Sequence, residues 1–237
     1  MTTIINIEPG TFGGPLRMGD LVGVCNVVEH LRKVNNNPEI RFHVRAEATS
    51  TDRNVQDFHS FLIGMTDYFS SFEGQESLPW RKVNLWDFRD ISGDLVKIPN
   101  HKEMVKKIVV FPLTDAPYNT YRNWPSHVFS QILEKYSSPE YDDYEKIICS
   151  KNGFAANDKW KVSTDIISNL IHIMDAEIFI GGDTGTSHFA WSLDRAPKDL
   201  IYYNSSRGLV HTLPFYLMQG KGRMSTYWLD CEGTTWQ

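Results

Sequence analysis

The chain has 237 residues, 41% of them hydrophobic and 22% charged, and it carries a formal net charge of −5. This length fits one large domain or two small ones, and the composition is that of a globular protein rather than a disordered or fibrous one. The acidic balance excludes a uniformly basic surface for nucleic acid, and no stretch approaches the roughly 18 uninterrupted apolar residues of a membrane span.

The cysteines and the N-terminus bear on the cellular compartment. Cys25, Cys149 and Cys231 are widely separated and odd in number, which argues against a disulfide framework or a cysteine-rich zinc site. The N-terminal stretch MTTIINIEPG has neither the basic flank nor the long apolar core of a secretory signal. These features predict a cytoplasmic protein with no membrane span.

The first half of the chain alternates strand and helix patterns. Residues 2–9 read as a strand, residues 10–20 as a glycine-rich turn and residues 21–35 as a helix with apolar positions at helical spacing. A second strand follows within residues 35–46, and residues 52–72 read as a second helix. This order implies a parallel sheet with helices packed on it.

The pattern weakens between Leu78 and Lys107, where we place a boundary between two lobes. Beyond it, the predicted elements are strand 107–113, helix 123–136, strand 144–150, helix 163–176, strand 177–182, helix 187–194 and strand 199–206. The second half therefore predicts a doubly wound unit, in which ligands sit at the carboxyl ends of the strands.

The loop over residues 181–188 ends a predicted strand and opens a helix. Backbone N–H groups at a helix N-terminus suit a phosphate, and Gly185 lets the backbone approach it closely. Additional hydroxyl donors are available from Thr184, Thr186 and Ser187. The alternative is ordinary capping by Asp183 or Thr184, with His188 as a buried helix residue.

The first loop, residues 10–20, is rich in glycine but spells neither the G-x-G-x-x-G dinucleotide fingerprint nor the P-loop. This weakens the dehydrogenase and NTPase interpretations. Asp20 stands at the start of the following helix, where it is either a first-turn capping acid or a general base for an acceptor hydroxyl.

The loop after the strand at residues 108–111 contains Thr114 and Arg122. Arg122 can neutralise a diphosphate without a metal, or it can be a surface arginine stacked on Trp124. The sequence has no H-E-x-x-H motif, no cysteine pairs and no D-x-D motif, so it does not require a metal.

Three stretches carry a family resemblance. They are RMGDLVGVCNVVEHLRKVNNNPEIRFHV, with Gly-Asp at a helix start, VVFPLTDAPYNTYRNWPSHVFSQIL, with a basic residue two positions before Trp-Pro, and AEIFIGGDTGTSHFAWSLDRAPKDLIYY, with an Asp-Thr-Gly-x-x-His motif. In this order they resemble the heptosyltransferase-like group (glycosyltransferase family 9) of GT-B glycosyltransferases, in a shortened form. The last motif is the most specific of the three.

The resemblance implies an α/β, GT-B-like fold, with two Rossmann-type parallel-sheet lobes and a cleft between them. Residues 1–103 would form a reduced acceptor-side lobe, and residues 104–237 would form the nucleotide-sugar-binding lobe, whose tail 216–237 would cross back. The implied activity is inverting, metal-independent transfer of a sugar from a nucleotide diphosphate sugar to a hydroxyl acceptor on a saccharide or glycan, with no cofactor.

The same resemblance implies roles for the matching residues. Asp20 would be the general base that deprotonates the acceptor. The donor would be bound by Thr114, Arg122, Asp183, Thr184, Gly185, Thr186 and His188. The acceptor-side loop would be formed by Gly13, Gly14, Arg17 and Gly19. An acid that contacts the donor ribose is not assigned, and Asp158 is only a weak candidate for it.

Other functions stay open at this point. A transferase of phage-like size that modifies hydroxylated bases in DNA, or a sugar already attached there, fits the reduced acceptor lobe and a local basic run, although the acidic net charge weighs against it. This basic run consists of Lys97, His101, Lys102, Lys106 and Lys107. A non-catalytic nucleotide-sugar-binding module is a further alternative, and an NAD-dependent oxidoreductase is disfavoured because the fingerprint is missing.

Overall fold

A computed structural model of the chain describes residues 3–7, 15–44, 49–70, 98–112, 123–150, 158–182, 184–204 and 223–228. Backbone contacts divide the chain into two compact units. The first contains the described residues up to Pro99 together with Ser192–Asp194, and the second contains the remaining described residues from Asn100 onwards. The sequence prediction drew the boundary after residue 103.

The first unit is built on a pair of parallel strands. Its elements are β1 (Thr3–Ile7), α1 (Met18–Val34), β2 (Ile40–Val44) and α2 (Arg53–Met65). Residue Thr3 lies opposite Ile40, and Ile7 lies opposite Val44. Helix α1 buries every residue from Leu21 to Val28. The alternation of strand and helix therefore produces the parallel pairing that it predicts.

Helix α2 is shorter than the sequence predicts, because it ends at Met65 rather than at residue 72. The chain then runs beside β2: the Phe42 amide donates to the Tyr68 carbonyl oxygen, and the Ser70 amide donates to the Phe42 carbonyl oxygen, each at 2.8 Å. Phe69 is buried there. Pairing with the sheet thus prevails over the helical pattern of these residues.

The second unit contains a six-stranded sheet in the order β5-β4-β3-β6-β7-β8. Its elements are β3 (Val105–Phe111), α3 (Ser126–Tyr136), a 3₁₀ turn (Pro139–Tyr141), β4 (Glu145–Cys149), β5 (Lys161–Ser163), α4 (Ile166–Asp175), β6 (Ala176–Gly181), α5 (Gly185–Ser192), β7 (Asp199–Asn204) and β8 (Arg223–Trp228). All its pairings are parallel. Counted from β3, the order is 3-2-1-4-5-6, which is the order of the Rossmann fold.

Two strands of this sheet were not predicted. Strand β5 pairs with β4 at one edge, and β8 pairs with β7 at the other. Strand β8 lies within the tail 216–237, so this part of the tail belongs to the second sheet; the remaining tail residues lie outside the described part, and their predicted crossing stays a prediction. No helix among the described residues is long and apolar enough to cross a membrane.

Candidate anion-binding site

The strand order of the second sheet reverses between β3 and β6. The chain proceeds from β3 towards one edge of the sheet and from β6 towards the other. In open α/β sheets, ligands bind outside the carboxyl ends of the strands at such a reversal. Phe111 and Gly181 pair at these carboxyl ends. The segment that follows Gly181 therefore lies where a ligand of this fold is expected.

The side chains of Thr184, Thr186 and Ser187 form a hydroxyl cluster at this position. Thr184 Oγ1 lies 2.9 Å from Thr186 Oγ1 and 3.3 Å from Ser187 Oγ, and Ser187 Oγ donates to the Gly182 carbonyl oxygen at 2.6 Å. The Ser187 hydroxyl hydrogen is thus donated to the Gly182 carbonyl oxygen, and the Thr184–Thr186 hydrogen bond uses a second hydroxyl hydrogen. One hydroxyl hydrogen of the cluster is left for the weak 3.3 Å contact or for a ligand.

Helix α5 begins at Gly185, immediately beside the hydroxyl cluster. The Ser187 and His188 amides donate to the Thr184 carbonyl oxygen at 3.1 and 3.3 Å. The two earlier amides of the helix, those of Gly185 and Thr186, precede any carbonyl that the helix itself can offer. They carry the positive end of the helix dipole, so this helix start favours an anion.

Gly181 is required by the packing of this turn, and Gly182 is tightly packed beside it. A Cβ on Gly181 would stand 2.5 Å from Ser187 Oγ and 2.7 Å from the Phe179 ring, and a Cβ on Gly182 would stand 3.0 Å from Trp124 Nε1. The first two distances are too short for real Cβ contacts. Gly181 therefore lets the Ser187 side chain lie directly against the end of β6.

Trp124 supports the same turn from the other side. Its side chain is fully buried, and its indole Nε1 donates to the Tyr203 carbonyl oxygen at 3.3 Å. The Trp124 and Tyr203 rings lie 5.2 Å apart. The Trp124 backbone amide approaches the Pro112 carbonyl oxygen at 3.4 Å. Trp124 thus fastens the start of α3 to the carboxyl ends of β3 and β7.

The predicted general base lies in the first unit. Asp20 is in the first turn of α1, and its Oδ2 accepts a hydrogen bond from the Arg17 amide at 3.0 Å. Arg17, Gly19 and Asp20 are all half-buried. The capping role that the sequence allows for Asp20 is therefore present, and the catalytic role stays a prediction.

The remaining predicted site residues fall into two groups. Thr184, Gly185, Thr186 and His188 lie together at the start of α5, where His188 is buried. Others lie outside the described residues: Gly13, Gly14, Thr114, Arg122 and Asp183. Their predicted roles in the acceptor-side loop and in donor binding stay predictions.

Two of the five residues of the predicted basic run, Lys106 and Lys107, form ion pairs. Lys106 pairs with Asp143 on the surface. Lys107 is buried, and its Nζ lies 2.6 Å from Asp175 Oδ1 and 3.6 Å from Glu145 Oε2. These two lysines are therefore neutralised by carboxylates of the same unit. The sequence pattern did not reveal the burial of Lys107, because its partners are distant along the chain.

The described part of the chain contains no group of three or more histidine, cysteine, aspartate or glutamate residues that could hold a metal ion. Burial raises the pKa of the Cys25 and Cys149 thiols above the ordinary value. Both thiols are therefore protonated and unreactive, which agrees with a packing role.

The fold has a counterpart of known structure. The crystal structure of a glycosyl transferase family 9 protein from Veillonella parvula DSM 2008 is similar to this chain with a TM-score of 0.51 and 8% sequence identity, over 95% of this chain and 85% of that chain. No protein-family model and none of the curated proteins matches the sequence. The structural likeness confirms the predicted resemblance and the α/β, GT-B-like fold class, and at this identity it establishes the fold alone.

Proposed function

We propose that the chain is an inverting, metal-independent glycosyltransferase that moves a sugar from a nucleotide diphosphate sugar to a hydroxyl of a saccharide or glycan acceptor. The observation that carries the proposal is the start of α5, where the hydroxyl cluster meets the positive end of a helix at the strand reversal. The fold likeness to a family 9 glycosyl transferase supports the same reaction class.

The chemistry of the transfer explains why such a site is useful. As the bond between the sugar and the diphosphate breaks, negative charge grows on the leaving diphosphate. Fixed N–H and O–H donors that already point at this charge lower the barrier, because they need not reorganise during the reaction. The Gly185 and Thr186 amides, with one hydroxyl of the cluster, supply donors of this kind. Arg122, Thr114 and Asp183 are proposed to complete donor binding.

The acceptor must lose a proton as its oxygen attacks the sugar. We assign this step to Asp20, whose carboxylate would take the proton from the acceptor hydroxyl. The loop that contains Gly13, Gly14, Arg17 and Gly19 would hold the acceptor. Because the base and the nucleophile act on the face of the sugar opposite the leaving group, transfer would invert the configuration at the anomeric carbon.

The test is a donor screen over nucleotide sugars. Release of the nucleoside diphosphate is measured with and without saccharide acceptors, and the anomeric configuration of any product is determined. Release of nucleoside diphosphate from at least one sugar, stimulated by an acceptor and unaffected by EDTA, is the expected result. Binding of a nucleotide sugar without any turnover would instead identify a non-catalytic binding module, and binding of NAD alone would revive the oxidoreductase.

DNA as the acceptor is a separate outcome of this test. A DNA-modifying enzyme would bind hydroxylated duplex DNA with a steep dependence on salt, since each phosphate contact releases counterions. The ion pairs of Lys106 and Lys107 reduce the basic charge that this reading relies on. We therefore expect saccharide acceptors, rather than modified DNA, to stimulate release.

A further inference from the structure

Asn169 is a polar residue on the inward face of α4. It is 3% exposed, and its Oδ1 is buried with no hydrogen-bond partner in the described part of the chain. The other buried residues of this helix are apolar: Ile166, Leu170, Ile173 and Met174. The carboxamide thus interrupts an otherwise continuous apolar stripe.

An unpaired buried acceptor is costly. Leaving such a group without a partner destabilises a protein, because the group loses its hydrogen bonds to water on folding, and native proteins rarely contain one without a reason. Leucine has the same branched shape and would complete the stripe at this position without that cost. The polar side chain at position 169 therefore suggests a partner that binds from outside the chain.

The position of Asn169 along α4 places it near the candidate anion-binding site. The last residue of α4, Asp175, pairs with Lys107 near the beginning of β3, and α4 packs on β3 and β6. Asn169 is the fourth residue of α4 and precedes Asp175 by about 9 Å along the helix axis, so it lies nearer the carboxyl ends of β3 and β6, where Phe111 and Gly181 pair.

The chemistry of Oδ1 limits what its partner can be. A carboxamide oxygen only accepts hydrogen bonds, so its partner must present an O–H or N–H group. Phosphate oxygens of an ionised diphosphate have no hydrogen to donate. The groups on either side of the diphosphate in a nucleotide sugar are the ribose and the transferred sugar, and both carry hydroxyls.

We propose that Asn169 is a donor-specificity residue, whose Oδ1 accepts a hydrogen bond from a sugar hydroxyl next to the diphosphate. This inference rests on the proposed function. It names a contact in α4 that the sequence motifs did not include, and it leaves the diphosphate itself to the start of α5.

The test compares the native chain with Asn169→Leu by calorimetric titration. The probes are ADP, GDP and UDP, their 2′-deoxy and 3′-deoxy counterparts, and the nucleotide sugar found in the donor screen. Asn169→Leu should melt at or above the native temperature and bind the nucleotide sugar roughly tenfold more weakly, which corresponds to one lost hydrogen bond. Asn169→Ser serves as a second variant if the leucine chain does not fold.

The probes distinguish the two sources of the hydroxyl. If Asn169→Leu also binds the nucleoside diphosphate more weakly than the native chain does, and the two chains bind one deoxy form equally, the hydroxyl missing from that deoxy form belongs to the ribose that Asn169 contacts. If Asn169→Leu binds only the nucleotide sugar more weakly, the hydroxyl belongs to the transferred sugar. Asn100→Leu is the control, because its Nδ2 already donates to the Met174 and Arg195 carbonyl oxygens and its loss should lower the melting temperature.

Equal binding of every probe by the native chain and Asn169→Leu would overturn the inference while leaving the proposed function intact. A native chain that binds none of the probes would instead contradict the proposed function, and this inference would fall with it. Whether the native chain binds the probes therefore distinguishes the two failures.

Discussion

The Ser187 hydroxyl donates to the Gly182 carbonyl oxygen at 2.6 Å and so ties the first turn of α5 to the end of β6. Ser187 is fully buried, so this bond is shielded from water. The same oxygen atom lies 3.3 Å from Thr184 Oγ1, so a displacement of Ser187 would also disturb the Thr184 hydroxyl. The geometry of the proposed donor site therefore depends on the space that Gly181 leaves open.

Gly181→Ala should disturb the donor site. The added methyl group would stand 2.5 Å from Ser187 Oγ and 2.7 Å from the Phe179 ring, so the serine must move. Overpacking of this kind costs about 1–3 kcal/mol. We expect a lower melting temperature and a larger loss of nucleoside diphosphate affinity than the stability change alone explains, measured by thermal unfolding and calorimetric titration.

The matched control for this substitution is Gly64→Ala. Gly64 is exposed in α2, and nothing lies within 4 Å of an added Cβ. Alanine there should stabilise the chain by about 0.5–1 kcal/mol, because it restricts the unfolded state and suits a helix. Native donor affinity in folded Gly181→Ala would contradict the role given to this turn.

Lys107 and Lys106 should differ sharply in their contribution to stability. The Lys107 side chain is 5% exposed and holds Asp175 at 2.6 Å, whereas the paired side chains of Lys106 and Asp143 are both more than half exposed. Lys107→Met should cost about 3 kcal/mol, the lower part of the range for buried pairs, because Asp175 retains some contact with water. Lys106→Met should leave the free energy of unfolding close to the native value, because water and salt screen an exposed ion pair.

Urea unfolding of the two methionine variants measures this difference. Lys107→Met leaves the Asp175 carboxylate without its cation. The double variant Lys107→Met, Asp175→Asn should therefore recover part of the free energy of unfolding that Lys107→Met loses. Equal unfolding free energies for the two single variants would show that burial of Lys107 does not make its ion pair stronger.

The sequence predicted most of the second sheet because its central strands are buried on both faces. Such strands read as continuous apolar runs, as in Ile108–Phe111 and Ile178–Ile180. Strand β5 has only three residues, and β8 contains no apolar run, so neither stands out locally. Tyr68 and Phe69 continue the helical pattern of α2, and only contact with Phe42 makes them part of the sheet.

The candidate site likewise has parts that a local stretch of sequence reveals and parts that depend on distant contacts. The start of α5 could be predicted because its glycines and hydroxyl residues are contiguous and stand between a strand and a helix. Asn169 could not be predicted in this way, since an asparagine within a helix is unremarkable until its burial is known. The burial of Lys107 depends on Asp175, which is 68 residues away along the chain.

Asp20→Asn should separate catalysis from capping. The asparagine keeps a side-chain oxygen that can accept from the Arg17 amide, as Asp20 Oδ2 does at 3.0 Å, but it cannot take a proton from the acceptor. We expect the rate of sugar transfer to fall by about 10²–10⁴-fold, the usual contribution of a general base. Nucleoside diphosphate affinity and melting temperature should stay close to native values.

Asp52→Asn is the control for this change. Asp52 caps α2 in a comparable way, since its Oδ1 accepts from the Asn54 amide at 2.9 Å, and no part of the proposed mechanism uses it. It should transfer sugar at the native rate. If Asp20→Asn also transfers at the native rate, the assignment of the base is wrong.

Acid should destabilise the first unit through His59. Burial, followed by the nearby charge of His43, lowers the pKa of His59 from 6.5 to about 4. The imidazole packs edge-on against Phe69 at 5.1 Å, and its Nε2 is buried without a partner in the described part of the chain. A proton added there would create a largely buried cation with no hydrogen-bond partner for Nε2 in the described part of the chain, so protonation of the folded state is unfavourable.

The direction of the effect follows from the lowered pKa. Above pH 6.5 both folded and unfolded chains hold a neutral imidazole, and His59 adds no pH dependence. As the pH falls from 6.5 towards 4, the unfolded chain binds a proton that the folded chain refuses, and up to about 3 kcal/mol of stability is lost. His59→Phe keeps an aromatic ring against Phe69 and removes the titration. Its urea-unfolding free energy should therefore fall less steeply than that of the native chain between pH 6.5 and 4, and parallel profiles for the two chains would show that His59 is not the group responsible.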